Sequence, residues 1–430
     1  MKYYSTNRRA DTATVREAVL RGMPADRGLY MPERIPRLDE GFFATLGKKT
    51  LAEIGVEVGR EFFAPDVPET VLAEMLGEAL NFPVPLKEIE DGVFVLELFH
   101  GPTLAFKDVG ARVMARVMGY FAGGNDRELT VLVATSGDTG SAVAHAFYGV
   151  PGIRVAVLYP SGKVSRLQEQ QIATLNGNIT ALEVKGTFDD CQRLVKEAFL
   201  DQELRRRCLL TSANSINIAR WIPQSFYYFY GMGQLPGERR PLAVSVPSGN
   251  LGNVTAGLLA RAIGLEVDWF VTAANRNRAV VDYLETREYR ARPSVKTLSN
   301  AMDVGDPSNI ARLMDLYDGE IERIRRQVVG FSFDDDETVA AIEAVKQEFG
   351  YVMDPHGAVG YLGLKKWMTG EPKMQGGVFL ETAHPAKFGG DVEMPERLRA
   401  CLGKEKRSLG LDADFDAFKE FLLEWSGDSW

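Results

Sequence analysis

Lys107 stands in an unusual place for a lysine. In ELFHGPTLAFKDVGARV, residues 97–113, it follows an apolar run and a Gly101–Pro102 turn, and it precedes the helical spacing of Val109, Val113, Met114 and Val117. A strand, a turn and a helix would set it near a helix N-terminus. That end of a helix carries partial positive charge and disfavours a cation, so the amine needs another purpose. Two further stretches suggest anion binding. TSGDTGS, 135–141, follows LTVLVA and precedes SAVAHAF; PSGNLGN, 247–253, follows LAVSV and precedes VTAGLLARA. Both join a strand to a helix through small residues that leave N–H groups unobstructed, a geometry suited to phosphate or carboxylate. Neither Walker A nor GxGxxG spacing is present in the second loop. Each loop alone reads equally as a tight turn with a helix cap, Asp138 and Asn253 being capping types. Two loops of one design tilt the reading toward a bound anion. In GGVFLETAHPAKFGG, 376–390, a buried strand runs into Thr382 and stops at His384–Pro385; in VMDPHGAVGYLG, 353–363, Asp354–Pro355 looks like a helix start and His356 like a capping or packing residue.

The elements that must hold these residues follow from periodicity. Residues 1–92 read as helices and loops, with helical spacing in TATVREAVLRG and TVLAEMLGEAL. From 93 onward VFVLELF, LTVLVAT, RVAVLYP, ITALEV, LAVSVP, VDWFVTAA and GVFLET alternate with helix candidates such as DDCQRLVKEAFL and ETVAAIEAVKQEFG. Short apolar strands between helices predict an α/β protein with parallel sheets covered on both faces. The break GMGQLPGERRP, 231–241, divides a smaller α/β domain, 93–235, from a larger one, 236–430. LDADFDAFKEFLLEW reads as an amphipathic helix packed on the body.

With 430 residues, 45% apolar and 25% charged, the chain has the composition of a globular protein of two or three domains. Fifty basic against 59 acidic residues, with no dense basic tract, predict no nucleic-acid partner. No apolar run is long enough for a membrane partner, and the N-terminus lacks the apolar segment of a signal peptide. Cys191, Cys208 and Cys401 form no CxxC pair, and the four histidines form no metal-binding spacing, so neither a disulfide framework nor a metal is expected. A cytoplasmic setting and a monomer are expected.

Taken in order, GLYMPERIP (28–36), GPTLAFKD, TSGDTGSA, YPSGKVSRLQEQQ, NSINIARW, SGNLGN, DPHGAVG and ETAHPAKF resemble the threonine synthases, which are pyridoxal 5'-phosphate enzymes of fold type II, the tryptophan-synthase-β type. The resemblance spans nearly the whole chain. It implies that Lys107 carries the cofactor and moves the substrate Cα proton, a desolvated amine near a helix N-terminus being favoured neutral. Ser248, Gly249, Asn250, Leu251, Gly252 and Asn253 would hold the cofactor phosphate, and the Thr382 hydroxyl would face the ring nitrogen. Thr135, Ser136 and Thr139 would take the substrate carboxylate. Many relatives have Asn at Asp138, which leaves its contact with the cofactor's ring hydroxyl or a role as helix cap both open. The implied substrate is O-phospho-L-homoserine, with Ser161, Lys163, Asn217 and Arg220 as candidates for its phosphate. The implied reaction yields L-threonine and phosphate. A phospholyase releasing a 2-oxo acid is the alternative, and a non-enzymatic phosphate- or nucleotide-binding module is disfavoured by Lys107 together with Thr382.

Overall fold

Val93–Glu97 (β5) is buried at every position, as a strand must be when helices cover both faces of its sheet. In the computed structural model, which describes residues 1–123, 127–237 and 241–425, this strand pairs in parallel with Gly376–Glu381 (β13), Val93 opposite Gly377 and Glu97 opposite Glu381. Around that pair lie Leu86–Glu90 (β4), Leu242–Pro247 (β10), Trp269–Ala274 (β11) and Val328–Ser332 (β12). The order is β12-β11-β10-β13-β5-β4, parallel throughout except for β4. A second sheet is wholly parallel, with Leu129–Ala134 (β6), Ile153–Pro160 (β7), Ile179–Lys185 (β8), Leu209–Ser212 (β9) and Ser408–Asp412 (β14) in the order β14-β8-β7-β6-β9. β6 and β7 are buried along their whole lengths.

The division of the chain differs from the one expected. β5, placed by sequence in the smaller unit, belongs to the six-stranded sheet through its register with β13. β14 and the helix Phe415–Trp425, placed in the larger unit, belong to the five-stranded one: Leu411, Phe418 and Leu422 are buried among Leu182, Leu194 and Ala198. The opening unit is not only helical. Lys2–Ser5 (β1), Ala13–Thr14 (β2) and Tyr30–Pro32 (β3) form an antiparallel sheet in the order β2-β1-β3. Part of the break at 231–241, residues 238–240, lies outside the described residues.

Helix starts follow local chemistry. Thr14 caps Val15–Arg21, Thr187 caps Phe188–Leu200 and Asp334 caps Asp335–Phe349, each with a capping box. Asp354 caps Pro355–Gly370, with the proline at the first helical position, where its missing N–H costs nothing. Among the described residues no helix is long and apolar enough to cross a membrane.

Candidate active site

Lys107 is the first residue of the helix Lys107–Ala122. The turn before it is stitched to the exit of β13: Phe106 N donates to Thr382 O at 2.8 Å, His384 N donates to Leu104 O at 3.1 Å, and Ala105 bridges Ala383. Thr382 is thereby fixed next to Lys107 without its hydroxyl taking part. Both residues line a cleft of about 1880 Å³ that also exposes loops 135–139 and 248–253. Lys107 is half-buried there, its Nζ 5.0 Å from the centre of the Phe106 ring. Desolvation lowers its pKa to about 8; Asp138 opposes the shift, while Arg220 and Lys387 add to it. Its free amine is thus within reach of neutral pH.

Asp354 ties the exit of β13 to the start of the helix Pro355–Gly370. Its Oδ2 accepts from Ala383 N at 3.1 Å, and its Oδ1 accepts from His356 N at 2.7 Å and pairs with His356 Nδ1 at 2.5 Å. His356 Nε2 accepts from Ala301 N at 3.2 Å, which leaves the ring proton on Nδ1 to donate to Asp354. Glu381 is buried beside this pair and accepts from Asp354 N. Burial and the charge of Asp354 push its carboxyl well above the usual range. Gly357 is required here, since a Cβ would lie 1.5 Å from Glu381 Oε2.

The TSGDTGS loop is held by its own first residue. Thr135 Oγ1 accepts from Gly137 N at 2.9 Å and Gly140 N at 2.8 Å and is 3.1 Å from Gly137 O, so this hydroxyl knits the loop and does not point to a ligand. Gly137, at φ 143°, makes the turn, and a Cβ there would meet Gln168 at 2.4 Å. Ser136 and Thr139 line the cleft. Asp138 is not the cap, a position held by Gly137 with no side-chain bond. Its Oδ1 lies 2.5 Å from Lys387 Nζ and accepts from Gln168 Nε2 at 3.1 Å. Burial pushes the Asp138 carboxyl up, but Lys387 and Lys107 outweigh it and hold the group well below the usual carboxylate range. Lys387, whose side chain is fully buried and also donates to Thr103 O at 3.0 Å, is a site residue that sequence reasoning missed. AKF in ETAHPAKF held it in view, but nothing local marks its partner.

In the second loop Leu251 adopts φ 59° directly before the helix Gly252–Ile263. The N–H groups of Gly249 to Gly252 donate to no acceptor among the described residues. Asn253 is not a cap either. Its Oδ1 accepts from Tyr227 and Tyr228 hydroxyls, both at 2.6 Å, which leaves its buried Nδ2 a donor without a partner. Ser248 Oγ donates to Val246 O at 2.7 Å, and Asn250 Nδ2 donates to Ser215 Oγ at 2.6 Å.

Of the four phosphate candidates, the structure brings Arg220 and Lys163 to the cleft. Arg220 is buried, donates to Ala213 O at 2.6 Å, and has its pKa lowered to about 10 by burial, with Asp108 opposing. Lys163 is exposed. The other two are engaged elsewhere. Ser161 Oγ donates to Glu183 at 2.6 Å. Asn217 is buried and spends its amide on Val19 O and Ser212 O and its oxygen on Ala219 N, because it caps the helix Ile218–Trp221. The N-terminal unit also reaches the cleft, through residues such as Asn7, Arg16 and Arg27.

Comparison with known proteins adds to this geometry. Residues 80–378 match the family described as pyridoxal-phosphate dependent enzyme, and residues 2–80 match threonine synthase N terminus. The threonine synthase of Escherichia coli K12 is 41% identical over 433 residues, which cover 98% of this chain and 99% of that protein. A crystal structure of threonine synthase from Escherichia coli superimposes with a TM-score of 0.92 at 40% identity, covering 99% of this chain and all of that one. A PLP-bound threonine synthase from Brucella melitensis superimposes with a TM-score of 0.91 at 32% identity, with both chains covered in full.

Proposed function

The chain belongs to the threonine synthase family of fold type II pyridoxal-phosphate enzymes, and from that premise we propose that it converts O-phospho-L-homoserine and water into L-threonine and phosphate. Pyridoxal 5'-phosphate is its cofactor. The residues present fit that group. The partnerless Asn253 Nδ2 and the open amides of 249–252 suit a phosphate dianion, and Lys107 has a lowered pKa. Lys107 would carry the cofactor, residues 248–253 would hold its phosphate, and Thr382 would face its ring nitrogen. When bound, the cofactor supplies an electron sink that acidifies the substrate's carbon-bound protons.

The chain's own residues do the rest. Lys107 Nζ moves the proton at the substrate Cα, for which a pKa near working pH is well matched. Ser136, Thr139 and the N-terminus of the helix Asp138–Phe147 bind the α-carboxylate. Arg220, from its buried position, binds the departing phosphate with a charge-assisted bond, and Lys163 meets it at the mouth of the cleft. Water must be kept out until it adds at Cβ, a task for approach of the five-stranded unit. We also propose a cytoplasmic monomer, in keeping with three buried cysteines that form no disulfide.

The observation that carries the proposal is the lowered-pKa amine of Lys107, stitched beside Thr382 and sharing a cleft with an open-amide loop. Incubation with O-phospho-L-homoserine in 18O-water tests it. Threonine and phosphate should form in equal amounts, with label in the threonine hydroxyl. Accumulation of 2-oxobutyrate in place of threonine would establish the phospholyase instead.

A further inference from the structure

Arg312 is a fully buried guanidinium that no step above uses. Its bonds go to neutral oxygens: Nη1 donates to Asn309 Oδ1 at 2.7 Å and Ser215 O at 2.9 Å, and Nη2 donates to Ile216 O at 2.6 Å and Tyr30 O at 3.4 Å. Its Nε has no partner, and its plane lies over Trp221, 4.4 Å from the ring centre. Burial lowers its pKa to about 9, with Asp315 opposing. Asp315 is itself taken up by the Tyr4 hydroxyl at 2.6 Å and Arg8 at 2.9 Å. A charge buried this way, with no carboxylate bonded to it among the described residues, destabilises the fold unless an anion compensates it.

The bonds that leave Arg312 lead to the open-amide loop. Asn309 Nδ2 donates to Asn250 O at 2.9 Å, Asn250 Nδ2 donates to Ser215 Oγ at 2.6 Å, and Ser308 N donates to Asn250 Oδ1 at 2.6 Å. Asn250 is thus pinned at its carbonyl and at both ends of its side chain. The next residue, Leu251, has φ 59°, a left-handed conformation that a leucine keeps only where the surroundings enforce it. We infer that Arg312 is a positioning residue of the anion cradle: it braces loop 248–253 through Asn309 and Ser215, and its charge is compensated by the anion bound there. The inference rests on reading this loop as the cofactor-phosphate site.

Titration of cofactor-stripped full-length protein with pyridoxal phosphate and with pyridoxal tests it, for the wild type, Arg312→Gln and Arg312→Lys. The wild type should prefer the phosphorylated ligand. Arg312→Gln should lose at least about tenfold in affinity for pyridoxal phosphate and no more than about twofold for pyridoxal, as loss of a counter-charge requires. Arg312→Lys should keep most of the preference, since it keeps the charge. Equal losses for both ligands in the Gln variant would reduce Arg312 to a scaffold and overturn the inference. So would an unaffected Gln variant. If Gln does not fold, a folded Lys variant without the preference overturns it and one that keeps the preference supports it. A wild-type protein that shows no preference sinks the loop reading first, and the inference with it.

Discussion

Below pH 8 the half-buried amine of Lys107 is protonated in the folded chain at a desolvation cost that the unfolded chain does not bear. Because its folded pKa is the lower one, that cost is full below about 8 and fades as pH rises toward 10.5, where the unfolded lysine also loses its proton. Lys107→Met should therefore raise the melting midpoint of the cofactor-free protein at pH 7 by roughly 1–3 °C, and the gain should vanish near the upper end of that window. Circular dichroism melts across pH check this. The same variant should show no turnover. Asp138 and Lys387 present the opposite case, a matched pair. Asp138→Asn leaves Lys387 buried without its carboxylate and should cost about 3–5 kcal/mol, while adding Lys387→Met should return most of it. Urea denaturation of the two single variants and the double one measures the coupling; additive effects would rule the pair out. At this scale the sequence was legible only where chemistry was local. Lys107 drew attention by its helix start and its motif, whereas the partner of Asp138 lies far along the chain and leaves no local mark. Thr135 and Asn217 misled because a hydroxyl or an amide in a polar motif can serve the backbone as readily as a ligand.

Seven strands could be read from the sequence, and all seven lie in the interior of a sheet: β5, β10, β11 and β13 in one, β6, β7 and β8 in the other. In these two sheets the four that escaped, β4, β9, β12 and β14, are the edges. The cause is physical, since an edge strand has one neighbour and partly exposed side chains, as in β12 and β14, and so lacks the continuous apolar run. Elements also decide what a glycine is for. A Cβ on Gly249 would meet Met302 Cα at 2.7 Å and Ala301 O at 3.0 Å, both backbone atoms, whereas one on Gly252 meets side chains alone, Ser215 Cβ at 3.3 Å and Asn309 Nδ2 at 3.5 Å. Gly249→Ala should thus destabilise the fold itself, by about 1–3 kcal/mol. Gly252→Ala should cost less than about 1 kcal/mol. Urea midpoints separate them, and equal midpoints would refute the assignment.

Across the whole molecule, the sequence conveyed the layered α/β plan but not which segments share a sheet, because pairing between distant strands has no local signal. The C-terminal segment shows the consequence most clearly. Ending the chain at Gly403 takes β14 from β8 and uncovers the apolar side on which Leu411, Phe418 and Leu422 sit. That truncation should make the five-stranded unit the first site of trypsin cleavage and should weaken cofactor binding by tenfold or more, on the order of 1.4 kcal/mol. Unchanged proteolysis would show that the segment is dispensable. Strand order also sets a timetable for biosynthesis. The six-stranded sheet cannot close until β13 inserts between β10 and β5, and the five-stranded one lacks an edge until β14 arrives. At ribosomal speeds of about 5–20 residues per second, the unfinished sheets stay open for tens of seconds while most of the chain is already outside. During that interval β5 and β10 present unpaired backbone, so the nascent chain, more than the finished protein, is the form most in need of a chaperone.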